Sequence, residues 1–281
     1  MSETIGRREV LKVALLGAAG GMRAAAQSWP TKTVGPPFHG LKVGLTSYST
    51  RKLTLEMTTK ALEPLDIGFI SLKDMHLPLS STKEERAAAK KKCDDAGLEI
   101  LSMGVISLKN DEAQIRAALE YAKSVGSPTV TVAPVPAALP TLNKVIKDFD
   151  ILAAIHNHGP GDRNFPSPLG VLDAVQSLDK RIGCCVDVGH TFRLGMDPVE
   201  ALRKCAPRLY GIHVKDLAGG GIKARNVPVG TGVLDVVGML RVLVEIKFPH
   251  LVALEYEAEP DNPIPGIAAS FGFLRGALAV V

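Results

Sequence analysis

Four apolar runs in the second half of the chain end in the same way. The first closes on His156-Asn157-His158 and the next on Asp187-Val188-Gly189-His190. The third closes on His213-Val214-Lys215-Asp216 and the last on Glu255-Tyr256-Glu257. A lone imidazole in such a run is usually a hydrogen-bonded core residue. Four successive runs broken at matching depth are hard to explain by packing, because a buried ionisable group is costly unless paired or bound to a metal. His156, Asp187, His213 and Glu255 are therefore the expected ligands of one divalent cation. Imidazole nitrogen and carboxylate oxygen suit zinc, manganese, iron or cobalt, with the identity open, whereas calcium prefers all-oxygen cages. Two carboxylates and two neutral imidazoles neutralise a dication and leave positions for substrate oxygens. Residues two apart on a strand share a face, so His158 is expected beside His156, Lys215 beside His213 and Glu257 beside Glu255. Those partners are expected to contact substrate or to orient the ligands.

Such convergence needs a scaffold. Beyond Trp29-Pro30 the chain alternates short β-branched runs with segments of helical spacing. Strands are expected at 41–48, 67–73, 98–105, 129–134, 151–158, 182–190, 209–216 and 251–257. Helices are expected to open at Ser81-Thr82-Lys83-Glu84-Glu85, at Asp111-Glu112 and at Asp197-Pro198, each with capping chemistry or a first-turn proline. Near-continuous apolar strands alternating with helices imply a parallel sheet covered on both faces. Eight units in about 250 residues fit an α/β protein of the (β/α)8 TIM barrel type. A doubly wound sheet usually carries a glycine-rich turn after its first strand, and here that turn reads TSYSTRKLT. In a closed barrel the chemistry sits at the carboxyl ends of the strands. Lys73 and His76, at the end of the second strand, are accordingly further candidates for contacting substrate hydroxyls or an anionic group.

Composition is that of an ordinary globular protein, with 46% hydrophobic and 22% charged residues. The net charge of +4 is scattered among acids, which disfavours a nucleic-acid groove. Residues 1–28 read differently. Arg7-Arg8 precedes the apolar stretch VALLGAAGGM and the small-residue segment RAAAQS, the pattern of a twin-arginine export signal. That places the mature protein in the periplasm or otherwise outside the cytoplasm. Residues 29–39 are then a linker and residues 40–281 a single barrel domain. No stretch approaches the roughly 20 apolar residues of a membrane span. Cys93, Cys184, Cys185 and Cys205 show no metal or disulfide spacing and are expected to be buried, inert thiols.

DVGH on the sixth strand, HVKD on the seventh and Glu255 on the eighth resemble the xylose isomerase-like TIM barrels, the sugar phosphate isomerase/epimerase superfamily. The resemblance covers roughly residues 40 to 280, and KDMHLPL, HNHGPGDRNFPSP and DNPIPGIAASFGFLRG point to an exported branch of it. It implies a metal held by Asp187, His213, Glu255 and the fifth-strand position, with His190 contacting a substrate oxygen. It also implies an enzyme of carbohydrate metabolism, with Glu255, His190 and Lys215 as the catalytic candidates. Substrate contacts are expected from His158, His190, Lys73, His76 and Glu257.

In most epimerases of this type the fifth strand ends Glu-Asn-His; here His156 replaces that glutamate. The change removes one carboxylate of a two-base epimerase. It leaves open reactions with one base beside a polarised carbonyl: aldose–ketose isomerisation, β-elimination, or hydration of the resulting enone. Thr231 stands where relatives often carry arginine, and with export this argues for an unphosphorylated sugar, cyclitol or keto-glycoside. The alternative is an exported sugar-binding barrel without catalysis. An endonuclease on the same fold would need more metal ligands than the chain offers. Whether the protein is a homo-oligomer is left open.

Overall fold

The computed structural model describes residues 37–281. The expected export signal at 1–28 and residues 29–36 of the linker lie outside the described residues. In chain order the elements are β1 (Lys42–Thr46), α1 (Leu55–Leu62), β2 (Phe69–Leu72), α2 (Lys83–Asp95), β3 (Glu99–Leu108) and α3 (Glu112–Ser124). They continue with β4 (Thr129–Pro134), α4 (Leu139–Val145), β5 (Leu152–His156), α5 (Pro168–Val175), β6 (Ile182–Asp187), α6 (Val188–Arg193) and α7 (Pro198–Cys205). The last are β7 (Leu209–Val214), α8 (Val236–Glu245), β8 (Leu251–Leu254) and α9 (Ile264–Leu278). The eight strands close into one parallel barrel in the order β1-β8-β7-β6-β5-β4-β3-β2. The (β/α)8 architecture read from the sequence is the one observed.

Helix starts follow the expected chemistry. Thr82 and Glu85 form a reciprocal capping box at α2. Asp111 caps α3, and Asp197 caps α7 with Pro198 in its first turn. Such caps satisfy orphan amides of the first turn.

Alternation along the strands divides large from small. Val43, Leu45, Ile70, Leu72, Val130, Val132, Ile155, Val186, Ile212 and Leu254 are buried in the apolar core. The other phase carries small side chains, and neighbouring strands keep it in register, as in Gly44 with Ala253, Ala253 with His213 and Asp187 with His213. Ser71, Ser102, Thr131, Cys185, Gly211 and Ala253 line the interior together with the base of His213, and the void among them is only about 10 Å³. Ser102 and Thr131 share a 2.9 Å hydrogen bond across it. The barrel is thus a filled floor beneath the strand ends. All four cysteines are buried and unpaired, and no described helix is long and apolar enough to cross a membrane.

The expected strands of the second half, β5 to β8, run too far at their carboxyl ends, whereas β4 matches and β3 continues past the expected 105 to Leu108. β6 ends at Asp187 and not at His190, because the Asp187 Oδ1 accepts the His190 amide at 2.7 Å and caps α6 directly. β5 ends at His156 and not at His158. Gly159 follows in left-handed backbone, φ 75°, where a Cβ would lie 2.9 Å from His190 Nδ1. β7 ends at Val214 and is followed by a short antiparallel ribbon, Asp216–Leu217 with Asn226–Val227. β8 ends at Leu254, so Glu255 and Glu257 lie just past it.

One buried carboxylate organises the loop above β7. Asp216 accepts the amides of Leu217 at 2.9 Å and Leu234 at 3.1 Å on Oδ1, and those of Gly230 at 3.0 Å and Gly232 at 2.9 Å on Oδ2. Replacing it strands four donors. Asp216→Ala is expected to cost roughly 3 kcal/mol, read as a lower urea midpoint, with faster hydrogen exchange at the amides of Gly230, Gly232 and Leu234. Unchanged exchange at those amides would count against the account.

Candidate metal centre

His156, Asp187, His213 and Glu255 converge at the carboxyl ends of β5 to β8. One donor atom from each lies within 4.8 Å of all the others, and all four residues are buried. His156 Nε2 stands 3.0 Å from His213 Nδ1 and 3.5 Å from Asp187 Oδ2, and His213 Nδ1 stands 3.3 Å from Glu255 Oε2. The two imidazoles therefore present one nitrogen each to the same space as the two carboxylates. Asp187 is held from both sides. Its amide donates to Asn157 Oδ1 at 2.9 Å, and its Oδ1 is used in capping α6, which leaves Oδ2 for the centre.

That oxygen supplies the test of fit. Asp187 Oδ2 is buried and accepts no hydrogen bond; Lys215 Nζ lies 2.9 Å away as a charge contact without hydrogen-bond alignment. A buried anionic oxygen without a donor, facing two imidazole nitrogens and a second carboxylate, fits a divalent cation of the N/O-preferring kind. His156 is the least supported of the four. Its Nδ1 has no partner, whereas ligating imidazoles usually donate that proton to a second group.

The electrostatics follow from burial against pairing. Burial holds the His156 imidazole neutral, down to about 3, against the opposing pull of Asp187. Burial also disfavours a charged His213, but Cys185 and Glu255 outweigh it and raise that imidazole well above its ordinary value. The Asp187 and Glu255 carboxyls would be pushed up by burial; Lys215 in both cases, with imidazoles beside each, holds them well below the usual carboxylate range. Lys215, buried with three carboxylates around it, keeps its proton despite desolvation.

Of the other expected site residues, Lys215, Glu257, His158 and His190 lie at or beside the centre, Lys73 lines a cavity that includes His158, and His76 lies apart. Lys215 contacts Glu255 Oε2 at 2.8 Å and also donates to Glu257 Oε1. His158 packs against His156 with ring centroids 4.5 Å apart and the rings tilted by 55°, and its Nδ1 lies 3.3 Å from Asp162 Oδ2. His190 lies 6.0 Å from the His156 ring, on α6 and not on a strand. Burial lowers its pKa. Lys73 lies 5.4 Å from the centre of the Tyr48 ring and shares with His158, Asp162, Asn164, Ser107 and Lys109 the lining of a cavity of about 590 Å³. His76 does not join them. Its Nε2 faces the Leu53 carbonyl at 3.0 Å, and it lines a separate cavity with Leu55, Pro78 and Glu85. The turn that begins after Leu72 carries it to the outer side.

Two residues with no expected role prove structural to the centre. Asn157 points sideways from between its two histidines and ties β5 to β6 through the Asp187 amide and Thr191 Oγ1. Asn226 accepts the Glu257 amide at 3.0 Å and donates to the Asp216 carbonyl at 3.2 Å. The only signal for Asn157 is its alternation out of phase with His156 and His158.

These charges give the metal-free protein a stability optimum. The folded value of His156, about 3, lies below its unfolded value of 6.5. Its contribution, up to roughly 5 kcal/mol, is present above pH 6.5 and lost as pH falls toward 3. Asp187 and Glu255 add to the same acid limb below their unfolded values. His213 has a raised folded value, so its contribution is present below pH 6.5 and lost as pH rises through that value. Urea midpoints of the chelated protein should peak near pH 6.5, with a shallower acid limb in His156→Leu. A midpoint rising steadily with acid would contradict the assignment.

The model of the xylose isomerase-like TIM barrel family matches residues 65–277. Among solved structures, an uncharacterised protein from Parabacteroides distasonis is 25% identical, with a TM-score of 0.66 over 84% of this chain and 99% of that one. A 3-keto-D-glucoside 4-epimerase from E. coli superposes with a TM-score of 0.70 at 14% identity, over 84% of this chain and 99% of its own. A Bacillus anthracis protein described as a probable 3-DHS dehydratase superposes with a TM-score of 0.67 at 14% identity, over 83% and 98% of the two chains. No functionally curated protein matches the sequence. Motifs, closed barrel and family match agree, and the chain belongs to the xylose isomerase-like TIM barrel family.

Proposed function

We propose that the protein is a divalent-metal-dependent isomerase, epimerase or lyase. It would move a proton on the carbon beside a carbonyl of an unphosphorylated sugar, cyclitol or keto-glycoside. The observation that carries this reading is the convergence of His156, Asp187, His213 and Glu255 at the end of the barrel where this fold builds its chemistry. A metal held there supplies polarisation of a substrate carbonyl and stabilisation of enolate charge. Glu255 is held ionised by Lys215 and His213, the form that accepts a proton. His158 and His190, less buried than the four ligand candidates, are placed to hold substrate hydroxyls. Lys73, at the mouth beside His158, extends the binding surface away from the centre.

His156 bears on which reaction it is. An imidazole that gives its nitrogen lone pair to a metal is a poor proton acceptor, whereas a carboxylate keeps a second oxygen, so the carboxylate base usual on the opposite face of the substrate is missing. This favours one-base chemistry, isomerisation or β-elimination, over two-base inversion. The structural neighbours include both an epimerase and a described dehydratase, so the fold accommodates either class. The same substitution motivates the second reading, a sugar-binding barrel without turnover. Export is part of the proposal and is supported by Arg7-Arg8 and the apolar stretch after them.

Metal analysis should find one divalent ion per chain, falling at least about tenfold in Asp187→Ala, His213→Ala and Glu255→Ala, since each removes a charged or ligating partner. Normal metal content in all three would sink the metal reading. Incubated in deuterated water, the wild-type enzyme should wash deuterium into at least one member of a keto-sugar panel, and Glu255→Gln should not. Tight sugar binding with no exchange on any member would favour the binding barrel.

A further inference from the structure

We propose that Lys215 is a resident counter-cation that holds the place of the metal: the ammonium and the divalent ion compete for the same two carboxylate oxygens. The inference rests on the metal reading above and concerns the metal-free protein as much as the loaded one. Lys215 has no exposed side-chain surface, and its Nζ lies 2.9 Å from Asp187 Oδ2 and 2.8 Å from Glu255 Oε2. These are the oxygens that face the imidazoles, since Asp187 Oδ2 lies 3.5 Å from His156 Nε2 and Glu255 Oε2 lies 3.3 Å from His213 Nδ1. Asp187 has no other oxygen to offer, because Oδ1 is committed to the His190 amide. An ion bound between the four donors would therefore draw on the same two oxygens that the ammonium now compensates.

The surroundings provide for that exchange. Glu257 also accepts from Lys215, and its side chain is 31% exposed, unlike the other two carboxylates. Three carboxylates against one ammonium leave two negative charges when the imidazoles are neutral, as ligands must be. A divalent ion supplies that balance, after which Lys215 and Glu257 remain as a neutral pair. The stem of Lys215 reaches this position over Gly189, where a Cβ would lie 2.6 Å from its Cδ and 2.7 Å from its Cγ. Space for the lysine is built into α6.

Without the metal, Lys215 keeps two buried carboxylates from facing each other uncompensated. With the metal, that duty passes to the ion. The test is thermal melting of the full chain, chelated and then reloaded with manganese or zinc, for wild type and Lys215→Met, together with metal affinity by chelator competition. The chelated variant is expected to melt roughly 10 °C below chelated wild type, and metal should restore most of the difference. Its metal affinity should rise by roughly tenfold or more, because the competing charge is gone. A chelated variant that is unfolded but folds on adding metal gives the same answer more sharply. A structural lysine needed in both states would lower both melting points equally, or leave the variant unfolded with metal present, and either result overturns the proposal. Affinity equal to or weaker than wild type also overturns it while leaving the metal reading intact. No metal bound by either protein overturns both.

Discussion

Two carboxylates buried side by side at the mouth of an apolar barrel are the constraint on which the rest of the site depends. Asp187 and Glu255 have almost no access to water, and ionised groups so placed must be compensated by neighbours or by an ion. The structure answers with Lys215 between them, an imidazole against each, and the His190 backbone amide at the far oxygen of Asp187. Each of those partners needs support in turn. Asn157 fixes the strand end that carries Asp187, and Gly189 clears the path of the lysine stem. Asp216 and Asn226 hold the segment that carries Lys215 against the one that carries Glu257. Charge compensation thus reaches outward through two layers of contacts before it meets ordinary packing.

The position of His156 shows how one exchange alters such a balance. A third carboxylate at that point would add negative charge beside Asp187, and the histidine adds none. The cluster becomes more readily neutralised by its own lysine, and the imidazole is kept uncharged by burial.

Much of the barrel and the heart of the site were legible in the sequence for one reason. Alternation on a strand fixes which residues share a face. Asp187 pairs with His213, while His156 pairs with Cys185 and His213 with Ala253, two residues short of Asp187 and Glu255 on the same phase, and the four side chains meet across that step. What alternation cannot give is where a strand stops. Asp187 ends β6 by capping a helix with its side chain, which moves His190 off the strand while keeping it near the centre. The same limit explains His76, whose path depends on the turn after β2 and on a carbonyl of a distant loop. Asn157 and Asp216 went unassigned because their work is done on backbone amides, which leave no pattern in residue types.

The filled floor of small side chains has a consequence for traffic. Ser71, Ser102, Thr131, Cys185, Gly211 and Ala253 leave a space at about the minimum for one water molecule, so among the described residues the floor offers no wide channel to the centre. Whatever ligand the four donors take would then come in from the carboxyl-terminal end of the strands. On the proposed function, a sugar bound there would stopper an ion beneath it, and the ion would have to be loaded before the first encounter with substrate.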